Sequence, residues 1–162
     1  MQSNQENIVN IVNKYSDMVY RLALTRCTNY DTAEDVFQDV FLKLSEKQPK
    51  FKDQEHEKAW IIRVTINMTK NMNKSAWNRK IVELDENIAS DNYYADENNV
   101  FDEVMRLPQD YRTVIYLFYY EGYKVNEISK MLETSEGTIK TWLSRAREQL
   151  KQKLEGGFED EQ

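Results

Sequence analysis

The sequence predicts an all-α protein: two small helical domains joined by an acidic linker, the second domain ending in a helix-turn-helix. Three observations predict it. Apolar residues recur at spacings of three and four through most of the 162 residues. Glycine (4) and proline (2) are too scarce for the many tight turns of a sheet-rich fold. Charge also segregates. Residues 58–80 carry Lys58, Arg63, Lys70, Lys74, Arg79 and Lys80 and no acid. Residues 81–106 carry Glu83, Asp85, Glu86, Asp91, Asp96, Glu97, Asp102 and Glu103 against Arg106 alone. Residues 135–154 turn basic again, with Lys140, Arg145, Arg147, Lys151 and Lys153 against Glu136 and Glu148.

The elements follow in order. Ile8, Val9, Ile11, Val12, Tyr15, Met18, Val19 and Leu22 mark one face of a long helix ending near Cys27. Asp31 with Glu34 three residues later has the capping-box arrangement, opening a second helix with Val36, Phe37, Val40, Phe41 and Leu44 inward. Pro49 stops it, a loop runs from Phe51 to Glu57, and a third helix spans about Lys58 to Lys74. Residues 81–99 are polar and acidic without a sustained period, hence the linker. Helical pattern resumes at Val100, Phe101, Val104 and Leu107, breaks at Pro108, and continues with Val114, Ile115, Leu117 and Phe118 to Gly122. Val125, Ile128, Met131 and Leu132 mark a short helix. Ser135 caps the last one, which turns Ile139, Leu143, Ala146, Leu150 and Leu154 inward. The predicted domains are 1–80 and 100–155, with an acidic, frayed tail at 156–162.

Composition excludes several classes. No run of 18 apolar residues exists, so no membrane insertion is expected. The polar start Met1-Gln2-Ser3-Asn4 lacks a signal-peptide core. One Cys and one His make neither a disulfide nor an ordinary zinc site, so the expected metal and cofactor content is none and the expected location cytoplasmic. There is no glycine-rich phosphate loop and no nucleophile beside a base, so the chain reads as a non-enzyme. The net charge of −6 argues against nucleic-acid binding, but the two basic helical segments argue for it.

A short helix, a turn of about three residues and a longer helix form the minimal helix-turn-helix pattern. Thr138, Lys140, Thr141, Ser144 and Arg145 lie toward the groove-facing end of the long helix, with Trp142 on the boundary between inner and outer faces. Lys and Arg reach guanine edges or phosphates, and hydroxyls reach either. Amides near Ser135 to Thr138 suit a phosphate at a helix N-terminus. The runs Glu127-Ile128-Ser129 and Gly137 to Leu150, with Leu107-Pro108-Gln109-Asp110-Tyr111-Arg112 before them, resemble the C-terminal DNA-binding domain of bacterial RNA polymerase sigma factors. That resemblance implies binding to the minus-thirty-five promoter element as duplex and contact with the flap of the polymerase beta subunit. Lys124 stands where the family often has a Ser cap, and Ser129 where it usually has Ala. Response regulators share a similar helix-turn-helix, so the N-terminal half must decide.

The segment Asp31 to Lys43 resembles the sigma segment that docks on the beta-prime clamp helices. Glu34, Asp35, Gln38 and Asp39 form an acidic and amide patch, and Val36, Val40 and Phe41 supply apolar area. Trp60 to Asn67 resembles the helix that recognises the minus-ten element. Arg63, Asn67, Lys70, Asn71 and Lys74 share one face, suited to a phosphate backbone and an unpaired base edge. By position, Phe51 to Glu57, with Phe51 and Lys52 as contact candidates, matches the family loop that encloses a flipped non-template base. Asp53 replaces a frequent Gly, and His56 and Glu57 depart from the pattern. Trp60 reads as core packing before stacking, and Trp77 fits either.

The resemblance spans about Tyr15 to Leu154 and lacks the middle domain of larger sigma factors, which marks the small extracytoplasmic-function subfamily. It implies as partners core polymerase, promoter DNA as duplex and non-template single strand, and an anti-sigma factor, commonly membrane-anchored. Opening about ten base-pair steps costs roughly 14 kcal/mol, against about 1–3 kcal/mol returned per stacked base. A domain this small therefore traps bases while the polymerase supplies the rest. The alternative, a stand-alone helix-turn-helix regulator of duplex DNA, explains residues 107–154 and leaves 31–74 as coincidence.

Overall fold

Three helices form the first unit, and each packs on the other two: α1 (Asn4–Arg26), α2 (Tyr30–Lys47) and α3 (Gln54–Asn78). The computed structural model describes residues 4–27, 29–78 and 100–160, with side chains for 6–27, 29–72 and 100–155. The chain divides into two compact units, Met1–Leu84 and Asp85–Gln162. Residues 81–99, read as the linker, lie outside the described residues.

The three-four spacing of α1 buries Val19, Leu22 and Ala23 completely, against Ala33, Val36 and Val40 of α2 and Ile61, Ile62 and Ile66 of α3. Each large side chain so buried contributes about 2 kcal/mol. Several polar groups in this core are paired. Arg26 Nε donates to Thr69 Oγ1 at 2.9 Å, and the hydroxyls of Thr25, Thr65 and Thr69 donate to the carbonyls of Leu22, Ile61 and Ile66.

Three boundaries of this unit differ from expectation, the third being the end of α3, at Asn78 where about Lys74 was expected. The α2 cap is Asn29, not Asp31: Asn29 has extended backbone, and its Oδ1 accepts the Thr32 amide at 2.8 Å. Asp31 is left in the first turn, where its charge favours the helix N-terminus. The helix ends with Gln48 in the left-handed region (φ 44), its N–H on the Leu44 carbonyl, before Pro49. The third helix starts four residues earlier than expected. Asp53 is the reason: its Oδ1 accepts the His56 amide at 2.8 Å and its carbonyl accepts the Glu57 amide at 3.1 Å. Of the loop expected from Phe51 to Glu57, only residues 51–53 therefore lie outside α3, and residues 48–53 join the two helices.

The second unit contains α4 (Val100–Met105), α5 (Gln109–Ile115), α6 (Val125–Leu132) and α7 (Glu136–Asp160). From Tyr116 to Tyr120 the end of α5 widens into a π-helical turn, closed by the Glu121 amide on the Tyr116 carbonyl. Gly122 follows at φ 76, a conformation other residues rarely adopt. Phe101, Val104, Leu107, Val114, Leu117, Ile128, Ile139, Leu143 and Ala146 form the core. Residues 133–135 separate α6 from α7. Ser129 ties this turn: its hydroxyl donates to the Thr134 carbonyl, and its own carbonyl accepts the Thr134 amide at 3.0 Å. Helix α7 runs on to Asp160, through Gly156 and Gly157.

Candidate polymerase and nucleic-acid interfaces

The outward side of α2 is set by what its inward side buries. With Ala33, Val36, Val40 and Leu44 in the core, Glu34, Asp35 and Gln38 are exposed and Asp39 is half-buried. Asp35, Gln38, Asp39 and Leu42 fall at spacings of three and four, one side of the helix. Leu42 is 58% exposed, an apolar side chain within an acidic and amide surface. Its spacing from Asp35 and Gln38 places it on this surface, beside the polar contact candidates. Phe41 sits at the margin, half-buried and edge-on to Phe37 at 5.0 Å, and Phe37 in turn meets Tyr20.

In α3, Arg63, Asn67 and Asn71 are exposed and Lys70 is half-buried, opposite the buried Ile61, Ile62 and Ile66. Lys74 continues the stripe by register; its side chain and that of Trp77 lie outside the described residues. Trp60 is half-buried at the head of this face, with Phe51 edge-on at 5.7 Å. Phe51 is half-buried and meets His56 as well, at 5.6 Å and 87°. Lys52 is exposed, and its backbone N–H donates to His56 Nδ1 at 3.1 Å. Glu57, the other departure from the family pattern, anchors α3 to α1: its Oε1 accepts the Tyr15 hydroxyl at 2.9 Å, with Lys14 Nζ at 3.5 Å. A cavity of about 380 Å³ lies beside the loop, lined by Ile8, Ile11, Leu44, Pro49, Phe51 and Glu57 among others.

In the second unit, Lys140, Thr141, Ser144 and Arg145 are exposed on α7, and Trp142 is half-buried beside them. The N-terminal amides are partly committed. Ser135 Oγ accepts the Thr138 amide at 3.2 Å, and the Ser135 hydroxyl donates to Thr138 Oγ1 at 2.8 Å. The Thr138 amide, one member of the expected phosphate cradle, is thus taken by the cap. The α6 cap has one half of a box: Glu127 Oε1 accepts the Lys124 amide at 3.0 Å, and the Lys124 side chain, a donor only, cannot return the bond. Arg147 does not join the outward group; it binds the Leu143 carbonyl and the Tyr119 hydroxyl. It rims an apolar groove of about 550 Å³ whose walls include Val104, Ile115, Tyr120, Leu150 and Leu154. Tyr119, 52% exposed, stands at its edge; sequence periodicity gave no sign of this groove, because Tyr119 and Tyr120 lie within the π-helical turn, where the three-four period does not hold.

Comparison with known proteins gives matches across both units. Residues 11–79 match the family model described as Sigma-70 region 2, and residues 99–150 match that described as Sigma-70, region 4. The chain is 25% identical to the ECF RNA polymerase sigma factor SigW of Bacillus subtilis, covering 94% of this chain and 91% of that one. It is 26% identical to the ECF RNA polymerase sigma-E factor of Haemophilus influenzae, covering 90% and 86%. Its fold is similar to the sigma factor RpoE in complex with the anti-sigma factor NepR from Bartonella quintana, with TM-score 0.66, 22% identity and coverage of 93% and 96%. It is similar also to CnrH in complex with the cytosolic domain of CnrY, with TM-score 0.62, 20% identity and coverage of 94% and 90%. Two attributes read from the sequence are narrowed. The expected anti-sigma partner reduces to what the similar structures are: RpoE solved in complex with the anti-sigma factor NepR, and CnrH in complex with the cytosolic domain of CnrY. The cytoplasmic location reduces to a narrower fact: among the described residues no helix is long and apolar enough to cross a membrane.

Proposed function

Because this chain belongs to the sigma-70 family, as an RNA polymerase sigma factor of the extracytoplasmic-function type and not an enzyme, we propose how its surfaces divide the work of initiation. The outward side of α2 docks on the beta-prime clamp helices through Glu34, Asp35, Gln38, Asp39 and Leu42. The α3 stripe of Arg63, Asn67, Lys70, Asn71 and Lys74, with Phe51 and Lys52 before it, holds the minus-ten element as melted non-template strand. Helices α6 and α7 act as a helix-turn-helix, and Lys140, Thr141, Ser144 and Arg145 meet the minus-thirty-five duplex, with Thr138 and Trp142 at the edges of that contact. The apolar groove beside Tyr119 receives the beta flap. An anti-sigma protein is a further partner, inferred from the RpoE–NepR complex.

The observation that carries this division is the outward side of α2. Exposed acids and an amide surround an exposed leucine there, chemistry that fits a basic and apolar protein helix and repels DNA. A duplex-only regulator has no use for it. Titrating fluorescently labelled chain with core polymerase tests the reading. Saturable binding at nanomolar concentration without DNA is expected; no binding by the folded chain, with tight duplex binding on its own, contradicts it.

A further inference from the structure

We propose that the outward side of α2 in one copy of the chain docks in the apolar groove of the second unit of another copy. On α7 the groove is lined by Arg147, Leu150, Lys151, Leu154 and Glu155. On α2 the residues at the same spacings are Asp35, Gln38, Asp39, Leu42 and Lys43, none of them in the core. Laid side by side and parallel, the two rows match in every charge. Asp35 meets Arg147, Asp39 meets Lys151, and Lys43 meets Glu155. Leu42 falls level with Leu154, both exposed, and the uncharged Gln38 falls level with Leu150. The opposite orientation would set Asp35 against Glu155 and Lys43 against Arg147, like charges in both places.

Neither surface satisfies its charges within its own unit. Among the described residues, Asp35, Asp39, Lys43, Lys151 and Glu155 form no ion pair. Arg147 hydrogen-bonds two uncharged oxygens, the Leu143 carbonyl and the Tyr119 hydroxyl. Burying Leu42 against the apolar walls supplies attraction, and the charge register selects partner and direction. Exposed ion pairs contribute little each, so the association is weak and reversible. Exchanged reciprocally between two copies, the contact occurs twice and closes as a dimer. The same two surfaces are assigned above to polymerase, so the dimer masks both. The masking rests on that reading; the contact itself does not.

Sedimentation equilibrium of the full chain alone, from micromolar to submillimolar concentration, is expected to show monomer in exchange with dimer, shifted toward monomer by salt. Asp35→Lys with Asp39→Lys, and separately Arg147→Glu with Lys151→Glu, are each expected to weaken dimerisation about tenfold or more. Mixed in equal amounts, the two reversed chains are expected to recover it. The lysine side of one then meets the glutamate groove of the other, and their unaltered surfaces meet as before. Should Arg147→Glu disturb folding, Asp39→Lys and Lys151→Glu repeat the test and leave the bond to Tyr119 in place. A chain monomeric throughout overturns the inference. So does a dimer indifferent to both reversals, and so does a mixture that fails to recover, the mark of separate partners for the two surfaces. Core polymerase is expected to take up single chains and dissolve the dimer; a polymerase that binds the intact dimer equally well overturns the masking. A native chain that dimerises and ignores polymerase would instead contradict the sigma reading, a separate outcome.

Discussion

Reversing the outward side of α2, by Asp35→Lys together with Leu42→Asp, is expected to weaken binding to core polymerase by about a hundredfold or more. Central contacts in protein interfaces cost about 2 kcal/mol or more each when lost, and a like charge against a basic partner adds to that. Both side chains are exposed and neither touches the core formed by Val36, Val40 and Leu44. The variant should therefore keep its helical circular dichroism and its melting temperature within a few degrees. A binding titration checks the first expectation and thermal melting the second. Undiminished binding by the folded variant would mean that the acidic surface is merely solvated.

The second large effect separates the two DNA contacts. Lys140→Ala and Arg145→Ala should each cost about 1–3 kcal/mol in binding the upstream duplex, the range for a lost base contact. Protection of the minus-thirty-five region by the holoenzyme falls accordingly, while opening of an already bound promoter proceeds. Asn67→Ala is expected to do the reverse. Upstream protection persists, and permanganate reactivity of minus-ten thymines drops by up to about tenfold, because an unpaired base loses a hydrogen-bonding partner worth about 1 kcal/mol. The geometry favours separability: Asn67 and the pair Lys140 and Arg145 lie on different units, all exposed, none in a core. Identical defects from both kinds of change would refute the division of roles.

Which helices form was legible from periodicity, and so was most of what they bury; Val9, expected on the inward face of α1, is instead 56% exposed. Of the inward residues expected of α2 and α7, Val36, Val40, Leu44, Ile139, Leu143 and Ala146 are buried, whereas Phe37, Phe41 and Leu150 are half-buried and Leu154 is exposed. Boundaries were less legible where several polar residues compete to cap. Asn29 and Asp31 are both good caps two residues apart, and only geometry shows that the Asn29 carboxamide reaches the Thr32 amide. Asp53 was read as a substitution for a family glycine. Its carboxylate starts α3 there and so brings His56 and Glu57 into the helix. The groove edged by Tyr119 was hidden for another reason: a π-helical turn breaks the period on which sequence reading depends. Leu42 is absent from the inward set of α2, and its outward register was visible in the pattern.

The most direct measurement is transcription in vitro by purified core polymerase, with and without this chain, on a pool of genomic promoter fragments. The expected result is a set of discrete new transcripts that require both components and share a minus-ten and a minus-thirty-five sequence upstream of their starts. Transcripts unchanged by the folded chain, with no association between the chain and core polymerase, would contradict the account.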